Sequence, residues 1–152
     1  MSDYLMKKEL SYFATYGTVI LLKMALLSPV TGLTRVKRKA FANEEDMAVR
    51  KDYKEKKLTF NDPVIERMRR CHLNDLENIV PFFGLGLLYA LFSGASISTL
   101  LWHYRIFTVS RLLHTVVYLN AIPQPSRALC FAAGLAVNIS MGVQILMNNF
   151  NL

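Results

Sequence analysis

Apolar residues along this chain come in long runs separated by short polar connections. The first run extends from Leu10 to Leu33 and is interrupted only by Lys23. A helix needs roughly 20 residues to cross about 30 Å of hydrocarbon, so the run is long enough to span. It ends in Pro29, Thr31 and Gly32 and then the basic run Arg35, Lys37, Arg38, Lys39, unlike the small-residue cleavage site of a signal peptide, and reads as a retained span. Ile97 to Leu119 forms a second candidate, carrying Arg105 and Arg111, and Ala128 to Met147 another with no charge. Between them NAIPQPSR, Asn120 to Arg127, is a turn with two prolines. The apolar run from Ile79 to Phe92 is short, but extending it back to Pro63 gives a helix of about 45 Å whose first half is polar. Asn61 or Asp62 can cap that helix, and Pro63 suits its first position. The pattern predicts an all-α, four-span bundle in one domain. Its helices fall at about 9–34, 63–92, 97–119 and 126–148, with a loop over about 35–62.

Charge sharpens this picture. The 152 residues are 53% hydrophobic with a mean hydropathy of +0.26, and all 11 acidic residues lie at or before Glu77. From Asn78 to the end the formal charges are Arg105, Arg111 and Arg127, far below the quarter of residues that an ordinary water-facing surface carries. Disorder and a secreted disulfide scaffold are excluded, and a soluble enzyme is disfavoured. Cys71 and Cys130 have no metal-binding spacing, and neither a metal nor nucleic acid is expected. Nine Lys and Arg residues in the 34–62 connection place that loop on the cytoplasmic side. Both termini then face the lumen, against the weaker pull of Lys7 and Lys8, and the Asn120 to Arg127 turn faces the cytosol.

At 100° per residue Glu66, Arg70, Asn74, Glu77 and Pro81 share an arc of about 80°, a polar stripe running from the mouth into the membrane. Intrahelical pairs such as Glu66 with Arg70 and Asn74 with Asn78 are the simpler explanation, at about 0.2–0.5 kcal/mol each. They do not account for Asn74, Asp75, Glu77 and Asn78 beside the apolar run, where polar groups need partners. Arg111, His114 and Tyr118 share one face of the third helix, and Arg105 points the other way. Arg105 suits a structural role, pairing with a neighbouring subunit or snorkelling; His114 is a hydrogen-bonder of open role. Lys23 has Asp75 or Glu77 as its natural partner. Arg35, Arg69, Arg70, Arg111 and Arg127 therefore face Glu77 at one mouth, with His72, Asn74 and Tyr118 as hydrogen-bonding groups. Arginines suit bidentate recognition of carboxylates, so the expected ligand is a small anion with one cationic group, meeting a lipophilic partner from the bilayer.

VIERMRRCHLNDLENIVPF (Val64 to Phe82), RLLHTVVYL (Arg111 to Leu119) and PQPSRAL (Pro123 to Leu129), with KMALL in the first span and RKAFANEED after it, resemble the membrane-associated glutathione transferase family, and within it the microsomal type. The resemblance covers nearly the whole chain. It implies a four-helix subunit, a homotrimer, and glutathione bound as cosubstrate between subunits on the cytosolic side. By motif position the glutathione contacts are Arg35, Arg69, Arg70, His72, Asn74, Glu77, Arg111 and Tyr118, and the catalytic, thiolate-stabilising residue is Arg127. The implied activity is conjugation of glutathione to lipophilic electrophiles, with reduction of lipid hydroperoxides, in the endoplasmic reticulum membrane or the outer mitochondrial membrane. A glutathione-dependent prostaglandin E synthase and a non-catalytic lipid-binding member are the alternatives inside the family. A polybasic adaptor for anionic lipid is the alternative outside it. One departure stands out: Met47 occupies the place of a cysteine linked, in the mammalian type, to activation by thiol reagents.

Overall fold

Asp62 and Pro63 start the longest polar-to-apolar helix as their chemistry dictates. The Asp62 carboxylate accepts from the backbone N–H groups of Val64 and Ile65 at 2.9 and 3.1 Å, and proline, lacking an N–H, takes the first helical position. The computed structural model describes residues 3–48 and 58–150. Its helices are α1 (Asp3–Arg38), α2 (Glu44–Ala48), α3 (Pro63–Phe92), α4 (Ile97–Leu119) and α5 (Ser126–Asn149). The four long ones form an antiparallel bundle in which α3 packs against α1, α4 and α5.

Two features differ from the expected pattern. α1 extends beyond the 9–34 span at both ends and stops at Lys39, whose left-handed φ of 57° turns the chain so that the Ala40 N–H reaches the Arg35 carbonyl at 3.0 Å. The connection expected as a loop over 35–62 also holds α2, whose first turn carries Glu44, Glu45 and Asp46 at the positive end of the helix dipole. Met47 on α2 is buried with Ala40 and Phe41. The stretch from 49 to 57, most of the charged part of that loop, lies outside the described residues.

Three helices, α1, α3 and α5, are long and apolar enough to cross a membrane. α4, which carries His103, Arg105, Arg111 and His114, is not among them. It packs against α1, α3 and α5 within the same bundle, with Arg111 and His114 turned inward and buried.

The core is aromatic. Phe82 stacks on Phe107 with ring centroids 4.0 Å apart, and Phe13 and Tyr104 close around them. Tyr104 donates its hydroxyl to the Gly86 carbonyl at 2.7 Å, and a Cβ on Gly86 would stand 3.0 Å from the Phe13 ring, so any larger residue there presses on that ring. At the end holding the basic residues, Leu27, Met68 and Cys71 form a smaller cluster against Tyr118 and Leu119. At the other end Tyr89 donates to Gln144 at 2.7 Å and Gln144 to Ser140 at 3.0 Å, and Ser140 meets His103, a closed polar network between α3, α4 and α5.

Asp62 also ties α3 to α1, because Arg38 Nε donates to both its carboxylate oxygens at 3.0 and 2.9 Å. Partial burial pushes the Asp62 carboxyl up, but the Ile65 N–H, the Arg38 guanidinium and the Val64 N–H outweigh it and hold the carboxyl below the usual carboxylate range. A depressed folded-state pKa contributes stability above the unfolded value, near 3.9, that disappears as pH falls through the folded one. Asp62→Asn keeps a capping side chain and removes the charge. Thermal unfolding of the purified variant is expected to show lower stability than wild type at pH 7, with the gap closing as pH drops below about 4.

Candidate functional site

Arg111 is the centre of the polar architecture. It lies on α4, fully buried, and α3 and α5 supply its partners: Nη1 donates to Asn74 Oδ1 at 3.2 Å and Nη2 to the Cys130 carbonyl at 2.8 Å. Gly134 makes the room, since a Cβ there would stand 3.0 Å from Arg111 Nε and 3.1 Å from Ser110 Oγ. The chain of bonds continues, with Asn78 Nδ2 donating to the Asn74 carbonyl at 2.8 Å and Asn138 Nδ2 to the Asn78 carbonyl at 3.2 Å. One turn and two turns beyond Arg111, His114 sits 5.4 Å from the Tyr118 ring, and the Arg127 guanidinium lies 4.7 Å over the other end of that contact, on Tyr118. Arg127 is the second residue of α5, directly after the proline turn, so the turn sets its place over the ring.

A second group forms on the other flank of α3. Arg35, Arg69 and His72, with Thr31, Gly32 and Leu73, line a cavity of about 400 Å³ between α1 and α3. Arg69 is ion-paired with Glu66 at 2.7 Å, so the intrahelical pairing considered as the simpler explanation occurs at i, i+3 and leaves Arg70 out. Lys23 takes Asp75 and not Glu77 as its partner, with both groups well inside the bundle. Asp75 and Glu77 are 200° apart on the helix, so only one of them can face α1.

Glu77 and Arg70 occupy the exposed face of α3 and have no hydrogen bond or ion pair among the described residues. The expectation that Glu77 must be paired at its depth therefore does not hold within one chain. Leu73, Leu76, Val80, Leu87 and Leu88 are exposed on the same face. The expected site residues thus fall into three sets: Arg35, Arg69 and His72 toward α1, Asn74, Arg111, Tyr118 and Arg127 toward α4 and α5, and Arg70 and Glu77 on the open face between them. Sequence reasoning missed Asn138 and Gly134, which complete the Arg111 site. An asparagine inside an otherwise uncharged apolar helix was the available signal.

A bundle of this kind, with a buried arginine held across three helices and several uncommitted charges at one mouth, is that of an integral membrane protein with a polar interior. The MAPEG family model matches residues 13–147, and the chain belongs to the MAPEG family, a multi-pass membrane protein. It is 49% identical to microsomal glutathione S-transferase 1 of Homo sapiens over 141 residues, covering 92% of this chain and 90% of that protein. To microsomal glutathione S-transferase 1 of Sus scrofa it is 47% identical over 150 residues, 97% of this chain and 96% of that one. Prostaglandin E synthase of Homo sapiens is 37% identical over 134 residues, 88% and 86% of the two chains.

The Lys23 and Asp75 pair yields a direct prediction. Removing one partner of a buried pair costs about 3–5 kcal/mol, because the other charge is left alone, whereas removing both is often close to neutral. Lys23→Met alone is expected to lower the unfolding temperature of the detergent-solubilised protein strongly. Lys23→Met combined with Asp75→Leu is expected to recover most of the loss, and a double variant as unstable as the sum of the singles would show that the two groups act independently.

Proposed function

We propose that the protein is a membrane-bound glutathione transferase that binds glutathione between neighbouring subunits of a homotrimer and activates its thiol with Arg127. The observation that carries this reading is that four of the uncommitted charges at this mouth are ones expected to contact glutathione. Arg35, Arg70 and Arg127 make no hydrogen bond through their side chains and no ion pair among the described residues, and neither does Glu77. Three cations and one anion match the two carboxylates, the thiolate and the ammonium group of glutathione.

Their placement supports sharing between subunits. Arg35, Arg69 and His72 lie on one side of the open α3 face and Tyr118 and Arg127 on the other, with leucines and Glu77 between. A tripeptide held by both sets is accommodated when the α1 flank of one copy meets the α4/α5 flank of the next. A ring of copies meeting through these unlike flanks closes by rotation, and the exposed leucine seam of α3 then faces the axis. Glu77 would leave solvent or lipid on assembly and face the ligand ammonium or Arg70 of a neighbour.

The chemistry has a definite scale. A free thiol titrates near about 8.5, so only a few per cent is thiolate at pH 7. Lowering that value by about two units takes about 2.7 kcal/mol in favour of the thiolate. One guanidinium at about 4 Å with an effective dielectric near 20 provides about 4 kcal/mol before desolvation, so a single arginine suffices. Arg127 is the candidate, because the Tyr118 ring holds its position and leaves its N–H fork free. The thiolate displaces the leaving group from a lipophilic electrophile and forms a C–S bond. With a lipid hydroperoxide, two glutathione molecules yield the disulfide, the alcohol and water. The buried Arg111 acts through Asn74, holding α3, α4 and α5 at the spacing the ligand needs. The basic connection after α1 supports a cytosolic orientation for this mouth, and the endoplasmic reticulum membrane or the outer mitochondrial membrane is the proposed location.

Glutathione conjugation to a generic aryl halide by the purified protein tests the activity, and no conjugation above the uncatalysed rate would refute it. Arg127→Ala is expected to keep much of the glutathione affinity while losing the ultraviolet absorbance of bound thiolate, up to roughly a hundredfold in the thiolate population. Its activity should rise toward higher pH, and Arg127→Lys should recover part of the loss, since an ammonium keeps the charge without the planar fork. Full thiolate absorbance with lost affinity would make Arg127 a binding residue and move thiol activation elsewhere.

A further inference from the structure

The outer face of α4 carries a cation that no carboxylate of the bundle neutralises among the described residues and that the proposed glutathione site does not use. Arg105 lies eight residues into α4, about 12 Å along its axis from Ile97. It is exposed, and its partners among the described residues are the Tyr16 hydroxyl, to which Nε donates at 3.0 Å, and the Trp102 ring, whose centroid is 6.0 Å from Cζ. No carboxylate among the described residues pairs with it. A cation at that depth is costly unless something neutralises it, and intramembrane arginines normally have a partner.

Beside Arg105 a cavity of about 450 Å³ runs between α4 and α5, walled by Trp102, Ile106, Val109, Leu113, Leu129 and Ala133. Of the other polar groups along it, Ser110 donates to the Phe107 carbonyl and the Cys130 carbonyl accepts from Arg111, while the Cys130 side chain is a free, half-buried thiol. Arg105 is thus the charge at the margin of an otherwise apolar groove. A second cavity of about 480 Å³ shares Trp102, Ile106 and Ala133 and continues toward the start of α4. His103 in that second cavity is held by the Thr99 carbonyl and Ser140, leaving the groove without another charged group.

We propose that this groove binds a long-chain carboxylate of the fatty-acid class, its head on the Arg105 guanidinium and its chain along Ile106, Val109 and Leu113 toward Leu129. The volume falls in the range of about 300–1,000 Å³ typical of small-molecule sites. A guanidinium fork matches a carboxylate with two parallel hydrogen bonds. Depth favours a carboxylic acid over a phospholipid, because the acid can enter apolar surroundings neutral and ionise on meeting the cation, whereas a phosphodiester stays charged throughout. The site is separate from the proposed glutathione site. Leu113 is 200° round α4 from the buried Arg111, and Leu129 is 200° round α5 from Arg127. The inference rests on membrane insertion and not on the transferase reading.

Trp102 is the only tryptophan in the chain and lines the groove, so its fluorescence reports occupancy directly. The test titrates full-length protein in nonionic detergent with mid-chain dibrominated stearic acid, its methyl ester and a dibrominated phosphatidylcholine, following quenching of Trp102. The expected result is saturable quenching by the acid, with affinity weaker by about tenfold or more for the ester and for Arg105→Gln, the scale of a lost charge-assisted bidentate contact. Arg105→Lys should retain part of the affinity, and aryl halide conjugation should be unchanged in Arg105→Gln. Equal affinity for acid and ester, or for the acid in wild type and Arg105→Gln, would overturn the proposal. Equal quenching by the phosphatidylcholine would make the groove a seat for boundary lipid, and dissociation of the oligomer in Arg105→Gln would make it a subunit contact; either overturns it too. Should Arg105→Gln fail to fold, Ala133→Phe narrows the groove without touching the charge and must weaken binding of the acid, and unaltered affinity there counts against the proposal.

Discussion

Polar side chains inside a bilayer must find partners within the protein, and that requirement fixes the arrangement of these helices. Lys23 and Asp75 hold α1 to α3, and Arg111 holds α4 to Asn74 of α3 and to the Cys130 carbonyl of α5. Hydrophobic burial cannot distinguish one helix rotation from another where lipid is as apolar as leucine, so these few bonds carry the specificity of packing. Their cost is large if broken singly, which makes the alternatives to this packing poor. Gly134 shows how closely the backbone has been fitted around the buried guanidinium, since even a methyl group would press on it.

Once those pairs set the rotation of α3, they also decide which of its residues remain open. Asp75 turned toward α1 leaves Glu77 facing outward, together with Arg70 and a seam of leucines. Structure and proposed function are connected at this point. The buried pairs consume the charges needed for folding, and among the charges left over at this mouth Arg35, Arg70, Arg127 and Glu77 are those that glutathione would satisfy. Under the assembly proposed here, the open face is not wasted surface but the joint where the ligand and the neighbouring copy meet.

Much of this was legible from the chain alone. The long apolar runs, the Asp62 and Pro63 start of α3, the inward face of Arg111, His114 and Tyr118, and the intramembrane partner of Lys23 as one of two acids follow from periodicity and pairing rules. Which acid Lys23 takes was not legible, because it depends on the rotation of α3 about its axis, and aromatic packing of Phe82 on Phe107 contributes to that. Which arginine Glu66 would take in an intrahelical pair was open for a related reason: i, i+3 and i, i+4 spacings are both within reach on a helix, and Glu66 pairs with Arg69. The reach of α1 to Arg38 was hidden because the basic run has no apolar signal, although its hydrogen bond with Asp62 fastens that end. Gly134 gave no signal in composition at all; its role exists only against the Arg111 side chain.

A glutathione site built from two copies of the chain can be tested with mixed assemblies. Arg35→Ala and Arg127→Ala subunits, each carrying a different affinity tag, can be co-expressed and the mixed oligomers isolated through both tags. If the site is shared, a mixed oligomer regains conjugation activity, because some interfaces then combine an intact Arg35 from one copy with an intact Arg127 from the other, while each variant alone stays inactive. Mixed oligomers as inactive as the two separate variants, with assembly intact, would place both arginines in a site within one chain and refute sharing between subunits.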